Sequence, residues 1–261
     1  MCINYPKFTI KIIGRKNCIE RLINMKYGKY LIAILVLFVG LFFVQSKFAL
    51  DNQKNVEAET VAVINTSQVQ NLSVINDLQA YYNNKDIVGL LNIENTNDNI
   101  VITQGVDNKE YLTKDLYKNY DKSGNPFLDY RVDINNSDIL LIFGHNSYKK
   151  KIPFTVLENY YDYDYFKNHQ YINLLTDEQN LRYQIFSIFV ETKDWSYMNL
   201  KFSDEDDYLN HLQKLKNKSM YETSVSVNKD DDILILQTCS HKKEYKNYDY
   251  KYLLVIARKV G

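Results

Sequence analysis

Short apolar runs separated by polar turn residues make up most of the chain from about residue 88 to residue 142. The runs read IVGLLNI, NIVITQG and DILLIFG, and their β-branched residues favour strands. A later segment, LRYQIFSIFVET, alternates from Tyr183 onward, and two apolar runs, ILILQTC and YLLVIA, close the chain. Because the chain has only 8 glycines and 3 prolines, clusters of Asn and Asp supply most of the predicted turns.

One segment before the strands has helical periodicity. Leu72, Ile75, Leu78 and Tyr82 recur at spacings of three or four, which places them on one face. This spacing predicts a helix from about residue 67 to residue 82.

A second helix is predicted between the alternating strand and the last two apolar runs. Ser203 is the expected N-cap, with Asp206 three residues later. The predicted buried stripe consists of Leu209, Leu212 and Leu215, and His211 is expected to face solvent. Many short strands, one or two helices and no βαβ repeat together favour a mostly antiparallel β-barrel.

The N-terminal region combines a basic flank with an apolar segment. Seven Lys and Arg residues precede residue 30 against a single acid, Glu20, and YLIAILVLFVGLFFV follows without a charge until Lys47. With its flanks this segment reaches the roughly 20 residues that span a bilayer. The pattern predicts a basic cytoplasmic tail (1–28), a transmembrane signal anchor (29–47), a stalk (48–66) and an extracellular domain (67–261). A cleaved signal peptide is less favoured because VQSKFAL offers no small-x-small site, and a buried helix is the third interpretation.

The charge balance and the cysteines narrow the possible functions. The formal net charge is zero, so nothing global indicates nucleic-acid binding. Of the three cysteines, Cys2 and Cys18 fall on the predicted cytoplasmic tail and Cys239 falls outside. An unpaired thiol in an outward-facing domain indicates either an intermolecular disulfide or a reactive site.

A nucleophilic thiol needs a proton acceptor or a positive neighbour. The predicted outward domain holds four histidines: His145, His169, His211 and His241. His145 follows the apolar run ILLIF, so its imidazole lies at the exposed end of a predicted strand, as Cys239 does. His169 lies in a polar loop, His211 is expected to be solvated, and His241 lies on a lysine-rich loop. His145 is therefore the favoured partner of the thiol.

Several ordered segments resemble a class B sortase. LQTC resembles the TLxTC motif of that family, with Ile235 where the family has its first Thr. LIFGHN is similar to the segment that carries the catalytic histidine, and NPFLDYRV is similar to the class B segment FxDYRN. FSDEDDYLNHLQKLKNKS occupies the place of the extra helix of class B. The resemblance extends from about residue 70 to the C-terminus.

This resemblance implies a mostly β fold, an eight-stranded sortase β-barrel with an N-terminal helix and an extra helix before the cysteine strand. It also implies a cell-surface transpeptidase of Gram-positive bacteria without a cofactor. Cys239 would attack the Thr carbonyl of a C-terminal sorting motif in a surface protein, and His145 would protonate the leaving amine. The acceptor would be an amine of a peptidoglycan precursor. Class B enzymes often prefer an Asn-Pro-x-Thr motif.

The chain departs from the family at the third catalytic position, an Arg at the start of the last strand. Matching YLLVIARKV to that strand places Tyr252 there, with Lys251 beside it. Arg258 follows six residues later, roughly 20 Å along a strand. Three alternatives remain open: Tyr252 or Lys251 substitutes, Arg258 serves in a different register, or neither holds.

The missing Arg also motivates a second hypothesis, a catalytically impaired sortase-like binding module. A third is a thiol hydrolase of the papain-like kind. Papain-like enzymes usually place the Cys at a helix N-terminus and before the His, whereas here His145 precedes Cys239 by 94 positions and the Cys ends a strand.

Overall fold

A computed structural model describes residues 42, 45–47, 71–147 and 149–260. The chain divides into two units, Met1–Ile64 and Asn65–Gly261. In the first unit, residues 42 and 45–47 are helical and exposed. The predicted tail and stalk, and all but these four residues of the predicted anchor, lie outside the described residues. Among the helices that the structure describes, none has both the length and the apolar character to cross a membrane.

The second unit contains a closed barrel of eight strands, which confirms the predicted mostly β, eight-stranded barrel. The strands are β1 (Ile87–Ile93), β2 (Asn99–Thr103), β3 (Phe127–Leu128), β4 (Ile139–Phe143), β5 (Tyr171–Leu175), β6 (Asn180–Glu191), β7 (Ile233–Cys239) and β8 (Tyr252–Lys259). They are arranged in the order β1-β2-β3-β4-β7-β8-β6-β5. The pairs β2/β3 and β4/β7 are parallel and the others are antiparallel.

Three helices accompany the barrel in the described residues. They are α1, which is helical over 71–82, α2 (Tyr163–Asn168) and α3 (Glu205–Asn217). Four 3-10 segments complete the set: Glu110–Leu112, Pro153–Tyr161, Ser196–Met198 and Lys243–Tyr245. The described part of the predicted first helix is helical, whereas α2, β3 and β5 were not predicted.

The strand β7 is buried on both faces, and for this reason its sequence is a continuous apolar run. Leu234 and Leu236 belong to the cluster that fills the barrel. Ile233 and Ile235 belong to a second cluster on the outer face, which α3 covers. Because side chains alternate along a strand, Gln237 and Cys239 share this outer face.

The predicted N-cap of α3 is wrong by one residue. Asp204 is the cap, and its carboxylate accepts the backbone N–H of Asp207 at 2.8 Å. The Asp207 carboxylate in turn accepts the backbone N–H of Ser203 at 3.1 Å. The carboxylates of Asp204 and Asp207 therefore accept backbone N–H groups at the start of the helix. Their negative charges also interact favourably with the positive end of the helix dipole.

The predicted solvent exposure of His211 is also wrong. Its side chain is buried, and its ring lies 5.0 Å from the ring of Phe202. The buried stripe of α3 is Tyr208, His211, Leu212 and Leu215, and Leu209 is only half-buried. The buried face of α3 is thus displaced by about one residue from the predicted face, and His211 lies on the side that packs against the core. Within the described residues its Nε2 has no hydrogen-bond partner.

Burial of His211 makes the stability of the fold depend on pH. Burial lowers the pKa of the imidazole, and the positive charge of Lys214 lowers it further. The unfolded chain therefore takes up the proton first, below about pH 6.5. Stability is complete above that pH and falls as the pH drops through it. We expect the urea midpoint of the wild type to fall between pH 7.5 and 5.5, and that of His211→Leu to fall less.

The control for this measurement is Gln213→Leu, which adds the same side chain on the exposed face of α3. It should keep the wild-type pH dependence. An equal loss in the wild type and in His211→Leu would show that another group is responsible.

Candidate active site

The barrel places His145 and Cys239 just beyond the paired ends of two neighbouring strands. Phe143 at the end of β4 pairs with Gln237 on the parallel strand β7. His145 and Cys239 each lie two residues further along the chain from this pair, at neighbouring strand ends. Cys239 also pairs with Tyr252, the first residue of β8. Three neighbouring strands thus present one row of side chains at one end of the barrel.

Hydrogen bonds hold the two strand ends against each other. The Gly144 N–H donates to the Gln237 carbonyl at 3.0 Å, and the Thr238 hydroxyl donates to the Gly144 carbonyl at 2.8 Å. The Asn146 side chain donates to the Cys239 carbonyl at 2.9 Å. A Cβ on Gly144 would lie 2.4 Å from the ring of Phe154, so this close packing requires glycine.

The ring of His145 is oriented by a backbone carbonyl. Its Nε2 lies 3.0 Å from the Leu112 carbonyl oxygen. A carbonyl only accepts, so Nε2 carries a proton and Nδ1 is the nitrogen that can gain or lose one. Gly124 lies against this carbonyl with a φ of +57°, and a Cβ there would approach the Leu112 oxygen to 2.8 Å. The position of the imidazole thus depends on a glycine turn before β3.

The thiol of Cys239 is half-buried, and it is free among the described residues. Burial raises the pKa of the thiol, and the positive charge of Lys251 offsets part of that increase. The chain after it is fixed, because the Ser240 N–H donates to the Lys251 carbonyl at 2.7 Å and the His241 N–H donates to the Glu158 carboxylate at 2.9 Å. The nucleophile candidate therefore sits on a well-defined backbone.

The structure separates the candidates for the third position. Tyr252 lies directly opposite Cys239, and its ring is 4.9 Å from that of Trp195. Burial raises the pKa of the Tyr252 phenol, as does the negative charge of the Cys239 thiolate. Arg258 pairs instead with Ile233, at the other end of β7, and its Nη1 lies 3.3 Å from Asp231.

The other two arginines of the predicted outward domain are also engaged with carboxylates. Arg131 donates to both oxygens of Asp129, at 2.9 and 2.7 Å. Arg182 contacts Glu94 at 2.7 Å. Each of the three arginines among residues 71–147 and 149–260 is therefore paired away from Cys239.

The chain is similar to known proteins. A family model described as Sortase domain matches residues 91–260. Sortase B of Listeria monocytogenes is 32% identical over 202 residues, which cover 76% of this chain and 79% of that protein. The chain belongs to the class B sortases. Their members are cysteine transpeptidases.

Solved structures of sortases agree with this assignment. The structure of Clostridium perfringens sortase B superposes with a TM-score of 0.64 at 26% identity, covering 71% of this chain and 99% of that one. A substrate complex of Staphylococcus aureus sortase B gives a TM-score of 0.64 at 25% identity, covering 78% of this chain and 97% of that one.

Two polar residues of this sortase around the strand ends, Tyr197 and Glu191, were not predicted from the sequence, and Gln237 was recognised only as part of the LQTC motif. The hydroxyl of Tyr197 donates to the Gln237 side-chain oxygen at 2.8 Å, and both residues are buried. Glu191 pairs with Tyr252 across β6 and β8 and contacts Lys218 at 2.5 Å. Burial would raise the pKa of the Glu191 carboxyl, but the Lys218 hydrogen bond holds it below its usual value. The signal available for Gln237 was a polar residue inside an apolar strand.

A ligand could also bind the described residues at a metal site or in a cavity away from the thiol. Among the described residues, no group of three or more His, Cys, Asp and Glu side chains could hold a metal ion. A groove of about 890 Å³ is lined by Ile139, Tyr208 and Asp231 among others, near the opposite end of β4 and β7. It does not include Cys239.

The charge of Lys251 should be visible in the titration of the thiol. A positive charge stabilises the thiolate, so Lys251→Met should raise the pKa of Cys239 further. We expect the midpoint of iodoacetamide alkylation against pH, followed by intact mass, to move to higher pH. Lys259→Met, at the far end of β8, is the control and should leave the midpoint unchanged. A midpoint that stays or falls in Lys251→Met would contradict this prediction.

Proposed function

We propose that this sortase is an active transpeptidase that anchors surface proteins to the cell wall. Cys239 takes the acyl group of a C-terminal sorting motif and passes it to an amine of a peptidoglycan precursor. The observation that carries the proposal is the parallel register of β4 and β7, which ends two residues before both His145 and Cys239. Support comes from two related structures, the substrate complex of Staphylococcus aureus sortase B and a sortase B complexed with triglycine, a peptide with a free amine.

In the first step the thiolate of Cys239 attacks the Thr carbonyl of the motif. A carbon–sulfur bond forms, and the carbon–nitrogen bond breaks as His145, protonated at Nδ1, gives its proton to the leaving amine. The Leu112 carbonyl accepts from Nε2 and so leaves Nδ1 as the nitrogen available for this exchange. The product is a thioester acyl-enzyme.

In the second step the acceptor amine attacks the thioester. His145, now neutral, removes the proton of the amine, and the thiolate of Cys239 leaves. The thioester conserves the acyl energy of the original amide, so the exchange needs neither ATP nor a cofactor. Exclusion of water during this step decides between transfer and hydrolysis.

Tyr252 takes the third position in this proposal. Its phenol stays protonated because burial raises its pKa, and it can donate one hydrogen bond to the bound substrate. A phenol lacks the fixed charge and the fork of a guanidinium, so substrate positioning is weaker than with Arg. We therefore expect a slow enzyme.

The proposed location is the outer face of the cell membrane, with a single span over 29–47 and the N-terminus in the cytoplasm. The basic residues before position 30 support this orientation. The second candidate function is an impaired sortase-like binding module. The pairing of all three arginines of residues 71–147 and 149–260 away from the thiol favours it.

The acyl-enzyme can be observed directly. The full chain in detergent is incubated with peptides that contain Asn-Pro-x-Thr and related motifs, and intact mass is recorded. We expect an adduct that hydroxylamine releases and that Cys239→Ala lacks. His145→Ala should slow adduct formation by about 100-fold or more, because general acid–base catalysis is lost.

His169→Ala is the matched control, since His169 stacks on Tyr165 away from the row of strand ends. It should form the adduct at the wild-type rate. If no motif in a broad library gives an adduct, the binding module replaces the enzyme. Full activity in His145→Ala would remove this histidine from the mechanism.

Tyr252→Phe and Arg258→Ala, assayed side by side, test the third position. Tyr252→Phe keeps the contact with Trp195 but loses the hydroxyl donor, so kcat should fall by about 10 to 100-fold. Arg258→Ala should form the adduct at the wild-type rate and lose thermal stability, because Asp231 loses its partner. A loss of activity in Arg258→Ala alone would reverse the assignment.

A further inference from the structure

Attack on a carbonyl by Cys239 creates a negative oxygen that needs a hydrogen-bond donor. The backbone N–H groups that follow the thiol are already in use. Ser240 donates to the Lys251 carbonyl, and His241 donates to the Glu158 carboxylate. The three arginines of the described domain are paired elsewhere. A donor for the oxyanion must therefore be an uncharged side chain near the thiol, either Tyr252, which is proposed above to bind the substrate, or a second residue beside it.

Gln237 has the required position. It shares the outer face of β7 with Cys239, two residues or roughly 7 Å along the strand, within reach of its extended side chain. The Tyr197 hydroxyl donates to its Oε1 at 2.8 Å. Among the described residues its Nε2 makes no hydrogen bond, so two N–H groups remain to serve a ligand.

Tyr197 determines whether the oxygen or the nitrogen of the Gln237 carboxamide is available to a ligand. Its side chain is fully buried and lies close enough to Tyr252 and Cys239 for their charges to affect its titration. Burial, and then these charges, raise the pKa of its phenol, so the hydroxyl stays protonated and acts as a donor. A donor there holds the amide oxygen and leaves the nitrogen free. A buried amide in an otherwise apolar strand is costly unless it is hydrogen-bonded, and the Tyr197 hydroxyl supplies that bond to the oxygen.

We propose that Gln237, oriented by Tyr197, donates its Nε2–H to the oxyanion formed on Cys239. As the carbon–sulfur bond forms, the carbonyl π electrons move to oxygen, and the amide N–H binds the resulting charge. When the amine leaves, the electrons return and the carbonyl is restored. This inference rests on the proposed role of Cys239 as the nucleophile. Gln237 is then a catalytic residue and Tyr197 is a positioning residue.

Two reactions of the same thiol test the proposal. Acylation by p-nitrophenyl acetate passes through an oxyanion, whereas alkylation by iodoacetamide does not. In the full chain, after subtraction of the Cys239→Ala background, Gln237→Leu should slow acylation by about 100-fold. Tyr197→Phe keeps the amide but loses its orientation, and we expect a loss of about tenfold in kcat with KM nearly unchanged. Alkylation should stay within about twofold of the wild-type rate in both variants, because it needs no oxyanion donor.

Tyr208→Phe is the matched control. It also removes a buried tyrosine hydroxyl, one that donates to the Asp231 carbonyl at 2.6 Å, at the other end of the outer cluster. It should leave both reactions unchanged. Wild-type acylation in Gln237→Leu would overturn the proposal. A parallel loss of acylation and alkylation would also overturn it, because that result indicates a structural role.

The small ester separates this proposal from the proposed function, since it carries no sorting motif. If no motif peptide acylates the wild type but acylation by the ester still depends on Gln237, the proposed function fails and this inference stands. If motif peptides acylate Gln237→Leu at the wild-type rate, the inference fails and the proposed function stands.

Discussion

The parallel pairing of β4 with β7 is the constraint on which the site depends. Five residue pairs, from Ile139 with Ile233 to Phe143 with Gln237, keep one register along both strands. Everything between the two strands in the sequence, including β5, β6 and α3, must fold around this pairing. The paired strands lie far apart in the sequence, so only tertiary folding brings the ends that carry the histidine and the cysteine to the same edge.

Burial and charge oppose each other at the strand ends. The thiol must ionise to react, yet burial favours its neutral form. Glu191 adds a negative charge to the same row, and Lys218 compensates it. Neutral hydrogen-bond donors are therefore less costly at these strand ends than an additional buried ion, because burying an uncharged amide or phenol has a smaller desolvation penalty. A tyrosine opposite Cys239 and a glutamine two residues before it are consistent with that balance.

The sequence predicted the features that depend on periodicity or on strand ends. Long apolar runs such as ILLIF and ILILQTC are strands in the structure, and the apolar runs locate His145 and Cys239 at their ends. Features set by tertiary packing escaped prediction. The two-residue β3 carries no pattern, His211 lies in a stripe displaced by one position, and the Tyr197–Gln237 hydrogen bond joins residues 40 positions apart. No local signal encodes such a contact.

The histidine is positioned from outside its own strand. Its ring is held by the Leu112 carbonyl, which belongs to the long connection between β2 and β3. That connection is anchored by the buried ring of Tyr111, whose hydroxyl donates to Asp86 at 2.8 Å. Its turn needs the positive φ of Gly124, since a side chain there would strike the Tyr111 carbonyl at 2.3 Å. The strand register fixes the backbone of His145 but leaves its imidazole free to rotate. The connection between β2 and β3 therefore determines which ring nitrogen is available at the strand ends.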